Sequence, residues 1–338
     1  MKEVKRMDLF KIPKIELHCH LDGSVRPETI VDIAYKENIK LKSYDIEDIK
    51  KEIVVPLECQ SLDEYLKAFT IPNLVMQSKE SLRRITFELY EDAAKENVKY
   101  MEVRFAPVLH TVKGLTLEEV IESVICGIRD AENKFDIKGN VILGCMRFMS
   151  AEKAFEVIEA GKKFLGNGVV AVDLCAGEEK GFCRKFIEPI ALARKYGYRV
   201  TIHAGETGIG ENVLEAIDLL GAERIGHGVY IKDCEKAYKI VKEKNITLEM
   251  CPTSNVQTKA VDSFEKHPIY DFYKDGINVS INTDNRTVSY TTMTKEVELV
   301  RKYFNMTFEE YKNIYNMSVE ASFISDEIKK ELKNKILL

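Results

Sequence analysis

No apolar run in this sequence reaches the ~18 residues of a membrane-spanning helix. The opening segment, MKEVKRMDLFKIPKIELH, has positive residues but no apolar core of the kind a signal peptide needs. Long basic runs and basic-aromatic tracts are also missing, and the net charge is −5. A nucleic-acid partner is therefore not expected, nor is a membrane. The eight cysteines, at 19, 59, 126, 145, 175, 183, 234 and 251, form no CxxC pair. A chain of this length does not need disulfide staples, so they read as buried thiols of a reducing, cytoplasmic compartment. Internal repeats, linkers and low-complexity segments are absent too.

What is present is an alternation. Of 338 residues, 45% are hydrophobic and 31% charged, enough for a sizeable core. Eight short apolar runs, at 15–21, 98–106, 140–148, 169–175, 198–204, 224–229, 246–252 and 278–284, read as buried strands. Amphipathic segments separate them. SLRRITFELYEDAAKEN (81–97) has a helical apolar face, and TLEEVIESVICGIRDAENKF (116–135) opens with Thr116 and Glu119 in capping-box spacing. Further helices are expected from near Ala151, Gly181, Gly210, Asp233 and His267. Eight strand–helix units predict an α/β fold, a (β/α)8 TIM barrel, with an open doubly wound sheet as the alternative.

The expected organisation is a single barrel domain over 1–338. A helical insertion after the first strand, about 45–78, emerges at the C-terminal face as a lid. Extra helices follow the last strand, about 305–338.

Ionisable residues collect at the ends of these strands. The first ends in His18, His20 and Asp22, the fifth in HAGE with His203 and Glu206. The sixth carries His227, and the eighth ends in NTDN with Asp284. A barrel brings all these ends to one mouth. His18 and His20 are two apart, so they share a strand face while Cys19 points away. They make half a metal site, and His203 and Asp284 can complete it. Three imidazoles and a carboxylate suit Zn²⁺ with one open position for water, whose pKa the ion would bring down to about 7. Taken alone, each feature has an ordinary explanation: a core histidine, a turn aspartate before Gly23. Their co-occurrence is what points to a metal. His110 and His267 lie outside the pattern and read as core histidines.

The motifs ELHCHLDGS, HAGE, RIGHG, CPTSN and NTDN, in this order, resemble the adenosine/AMP deaminase family from Pro13 onward. SLDEYLKAF, YMEVRFAP, CMR and VDLCAGEE add to the likeness. The resemblance implies a barrel with one zinc ion that hydrolyses the 6-amino group of adenine compounds, adenosine and 2′-deoxyadenosine first among them. It implies His18, His20, His203 and Asp284 as zinc ligands and Glu206 as the acid that protonates N1. His227 would be the base beside the metal-bound water, with Asp284 sharing its proton. Asp22 would bind a ribose hydroxyl and Gly177 would donate its backbone N–H to N3. Leu62, Tyr65, Leu66 and Phe69 would form the lid, and His20 would also face the substrate. Asp173 and Ser254 are candidate partners of the ligands.

One position departs from the family, which often has a second aspartate near N7 where this chain has Asn285. An amide donates to N7 without needing a proton, so the change is compatible with a purine. The competing readings are an adenine deaminase, a deaminase of a 5′-modified adenosine, and a dead nucleoside-binding barrel. No basic cluster lies near Asp22 to hold a 5′-phosphate. The cytidine-deaminase pattern H-x-E…P-C-x-x-C is missing. Oligomeric state is not legible.

Overall fold

The computed structural model describes residues 8–336. Eight strands, β1 (Lys14–His20), β2 (Val98–Phe105), β3 (Lys138–Met146), β4 (Val169–Cys175), β5 (Arg199–Ala204), β6 (Arg224–His227), β7 (Thr247–Met250) and β8 (Val279–Ile281), pair in parallel in chain order. Helices lie between them on the outside, so the fold is the expected (β/α)8 barrel. Closure is made by backbone: His20 N–H donates to the Asp284 carbonyl at 2.7 Å, and Asp284 N–H to the His18 carbonyl at 2.8 Å. The seam of the barrel thus runs through three of the expected metal ligands.

Local signals behave as the side chains dictate. The helix Leu117–Glu132 starts at Thr116, whose hydroxyl accepts from Glu119 N–H while Glu119 accepts from Thr116 N–H. Such a cap is worth about 1 kcal/mol. The helix expected over 81–97 runs Lys79–Lys95, because Ser78 and Ser81 make a reciprocal cap. The one expected near Gly181 begins with a 3-10 turn, Phe182–Phe186, before Ile187–Tyr196. β8 is shorter than its apolar run, and Asp284 stands three residues beyond it.

The region after β1 is broken into pieces: Ile46–Ile53, Leu62–Leu66, a 3-10 turn Lys67–Phe69, and Thr70–Val75. Pro72 has no N–H to continue an α-helical ladder, which explains the tightening just before it. Around residues 62–69 a small apolar cluster, Val55, Cys59, Tyr65 and Ala68 with Val288, stands separate from the main core, whereas Ile49, Ile53 and Val75 of the flanking helices belong to that core.

The barrel interior is ionic from beneath the mouth down to its N-terminal end. Arg104 donates to Asp173 at 2.7 Å and to Glu249 at 2.6 Å, and Arg224 reaches Glu249 and Glu102, each at 2.6 Å. The opposite end is closed by Phe323, which follows the helix Phe308–Ala321. Its ring lies 3.8 Å from the Arg224 guanidinium, and its N–H donates to Glu102 at 2.6 Å. No helix among the described residues is long and apolar enough to cross a membrane.

Candidate active site

His18, His20, His203 and Asp284 converge at the C-terminal mouth, with ligand atoms within 4.8 Å of one another. His20 Nε2 lies 3.2 Å from His203 Nε2. Asp284 Oδ1 is 3.4 Å from both His18 Nε2 and His20 Nε2. His18 Nε2 is buried with no hydrogen-bond partner. Imidazole lone pairs and a carboxylate facing one another are what a cation site requires, so the donor set fits a metal. The fit needs Gly226, since a Cβ there would stand 2.8 Å from His18 Cε1.

Carboxylates stand behind two of the histidines. Glu249 Oε2 is 2.7 Å from His18 Nδ1, and Asp173 Oδ2 is 2.8 Å from His203 Nδ1. Each turns the Nε2 lone pair inward. Ser254 Oγ donates to Asp284 Oδ2 at 2.5 Å. Burial would raise the Glu249 carboxyl, but Arg104 and Arg224 hold it well below the usual range. Glu249 escapes sequence reasoning. Its only signal is a charged residue in the middle of the buried run ITLEMCP.

Glu206 and His227 share the same space, with Glu206 Oε2 3.6 Å from His227 Nε2. Burial, and then the neighbouring charges of Asp284 and Glu178, push the Glu206 carboxyl up to about 8. Its loop is gripped from beneath. The Glu178 carboxylate accepts the N–H groups of Gly205, Glu206 and Thr207 at 2.8, 2.9 and 3.0 Å. His227 and Asp284 both adopt left-handed backbone, at φ +63° and +58°. Residues other than glycine hold such angles at a cost of about 1–3 kcal/mol, chiefly where function needs the side chain aimed.

Asp22 starts a turn after β1, and its buried Oδ1 has no partner. Burial pushes its carboxyl up to about 7. Asn285 Nδ2 donates to the Tyr65 hydroxyl at 2.9 Å, which in turn lies 2.6 Å from Ser289 Oγ. Gly23 makes room for that amide, because a Cβ would fall 1.7 Å from Asn285 Oδ1.

One cavity of about 290 Å³ gathers most of these groups: His20, Asp22, His203, Glu206, His227, Asp284 and Asn285 on its floor and walls, with Leu62, Tyr65, Leu66 and Phe69 above. Gly177 is set apart. It lines an adjoining groove that shares Leu62, Phe148 and Glu206 with this cavity, while Cys175 and Ala176 take the place beside the pocket. His110 is buried outside the site with neither ring nitrogen partnered.

A parallel barrel with a metal-ready histidine–aspartate cluster at its mouth defines a metal-dependent hydrolase. The adenosine deaminase family profile matches residues 13–337, and the chain belongs to that family. An adenosine deaminase of Clostridium botulinum is 62% identical over 330 residues, covering 98% of each chain. The solved structure of an adenine deaminase from Arthrobacter aurescens superposes with a TM-score of 0.90 at 27% identity, over 96% of this chain and 98% of that one. An amidohydrolase from Burkholderia ambifaria with bound zinc superposes at 0.86 with 25% identity, over 98% and 93%.

Proposed function

We propose that this protein is a cytoplasmic enzyme that deaminates adenosine and 2′-deoxyadenosine to the inosines and ammonia, with one zinc ion per chain. The observation that carries the reading is the meeting of four side chains able to ligate a metal with a buried carboxyl, Glu206, at one purine-sized cavity. The superposition of the whole fold on a zinc-bound amidohydrolase favours zinc among metals, and eight free thiols favour a reducing compartment.

His18, His20, His203 and Asp284 would hold the ion. When bound, it supplies a Lewis acid that makes water a nucleophile near neutral pH. Glu206 keeps its proton at pH 7 and gives it to N1 as the C6–N1 electron pair moves there. His227 faces the attacking water. The water's first proton passes to Asp284 or His227 and then to the amino nitrogen, which leaves as ammonia. Its second proton restores Glu206. Asp22, buried with a free acceptor, suits a ribose hydroxyl. Asn285 donates to N7, and the Gly177 backbone serves N3 from the rim. The apolar side chains Leu62, Leu66 and Phe69, with Tyr65, cover the base.

Free adenine is the second reading, favoured by the close superposition on an adenine deaminase. Asp22 argues for the nucleoside, because adenine offers it no hydroxyl. The test is a panel of adenosine, deoxyadenosine, adenine, AMP and 5′-modified adenosines, followed by loss of adenine absorbance, with metal analysis. Adenosine turns over fastest, at close to one zinc per chain. Faster turnover of adenine, or full activity without metal, overturns the reading.

A further inference from the structure

His227 takes its place at the mouth from β6, but its chemistry is set from behind. A neutral imidazole carries one proton, and the nitrogen that carries it must donate while the other accepts. The hydrogen bonds that decide this begin at a group whose role cannot change. The backbone N–H of Ile269 lies 3.2 Å from His267 Nδ1. A backbone N–H only donates, so His267 Nδ1 is bare. Burial, and then the charge of Lys232, push the His267 ring down to about 3, so it is neutral at pH 7. Its single proton therefore sits on Nε2.

That nitrogen is 3.1 Å from Asn255 Oδ1. The amide oxygen accepts, which turns the amide nitrogen the other way. Asn255 Nδ2 then meets His227 Nδ1 at 2.9 Å. An amide nitrogen only donates, so His227 Nδ1 is the acceptor. The proton of His227 is left on Nε2, the nitrogen that faces the cavity.

The alternatives all lose bonds. Flipping the Asn255 amide sets its NH2 against the His267 N–H. Flipping the His267 ring puts carbon atoms where both bonds are made. Both residues are buried, and each donor or acceptor stranded there costs about 1–3 kcal/mol. The neighbouring histidines make the contrast. Glu249 and Asp173 place acceptors behind Nδ1 of His18 and His203, so those rings present lone pairs. His227 has an amide donor there and presents an N–H.

We infer that Asn255 and His267 are positioning residues that hold His227 as an Nε2–H donor. His227 orients the attacking water by donating to its oxygen and does not take its proton. The catalytic half of this rests on the deaminase reading; the tautomer does not. Of the two groups facing the water, Asp284 then receives its first proton and passes it to the departing amino nitrogen.

The test uses the zinc-loaded protein labelled with ¹⁵N-histidine. Long-range ¹H–¹⁵N spectra separate bare from protonated nitrogens in each of the six rings. His227 and His267 are expected to be protonated at Nε2 and bare at Nδ1. Asn255→Asp puts an acceptor behind both rings with no stranded donor, so it moves the His227 proton to Nδ1. That variant keeps its zinc and its KM within about threefold and loses about 100-fold or more in kcat. A wild-type His227 protonated at Nδ1, or an Asn255→Asp enzyme with wild-type kcat, overturns the inference. If the wild type leaves adenosine untouched, the deaminase reading fails while the spectra still decide the tautomer.

Discussion

Glu206 shows how one side chain's surroundings set its chemistry. Its useful form is the acid, and burial beside two carboxylates favours that form up to about pH 8. Below that pH the proton is present to give to N1. Above it the carboxylate dominates and turnover falls, by about tenfold per pH unit if no other group limits it. A pH–rate profile for adenosine checks this, and a profile still flat at pH 10 contradicts it. Glu206→Gln keeps the shape, removes the proton, and is expected to lose at least about 100-fold in kcat with zinc retained. Asp22 and Asn285 follow the same principle at the substrate's edges. One is a buried acceptor with a free oxygen, the other an amide fixed by Tyr65.

Among the elements, the insertion after β1 stands out. Its middle, residues 55–69, packs through a small cluster of its own with Val288, while Ile49, Ile53 and Val75 on either side belong to the continuous core of the barrel. Few apolar contacts mean a low free energy of local opening. Amide hydrogens of residues 62–69 are therefore expected to exchange far faster than those of β2 and β3 in the same experiment. A bound nucleoside analogue should slow the insertion selectively, because Leu62, Tyr65, Leu66 and Phe69 line the cavity. Equal protection of insertion and barrel would refute a lid. Its apolar face and the break before Pro72 were readable from the sequence, but its docking was not, since the partner, Val288, lies more than 200 positions away. Helix Leu117–Glu132 lies at the other extreme, because its start is written in the local spacing of Thr116 and Glu119.

Across the whole molecule, the site doubles as the seam of the barrel. The backbone bonds that join β1 to the residues beyond β8 run through His18, His20 and Asp284, and His203 comes from β5. A bound ion thus ties elements far apart in the chain, and it binds the folded state alone. Held at about 1,000 times its Kd, it adds about 4 kcal/mol. Chelation is expected to lower Tm by about 5 °C or more, with recovery on adding zinc. A Tm indifferent to chelator would contradict a bound metal in the folded protein.

The sequence by itself determined the eight strand–helix units and the polar residues at the strand ends. Both follow from short-range rules: strand side chains alternate with period two, and a barrel gathers its C-terminal strand ends at one mouth. Only the tertiary structure decided what stands behind those residues. Glu249 reaches His18 across 231 positions of sequence, and Asn285 meets Tyr65 across 220. It also brought Phe323 under the barrel and turned the Asn255 amide toward His227. A hydrogen-bond partner in a closed barrel comes from whichever strand or loop lies adjacent in space. Local spacing aims a side chain, but it cannot say which atom it will meet.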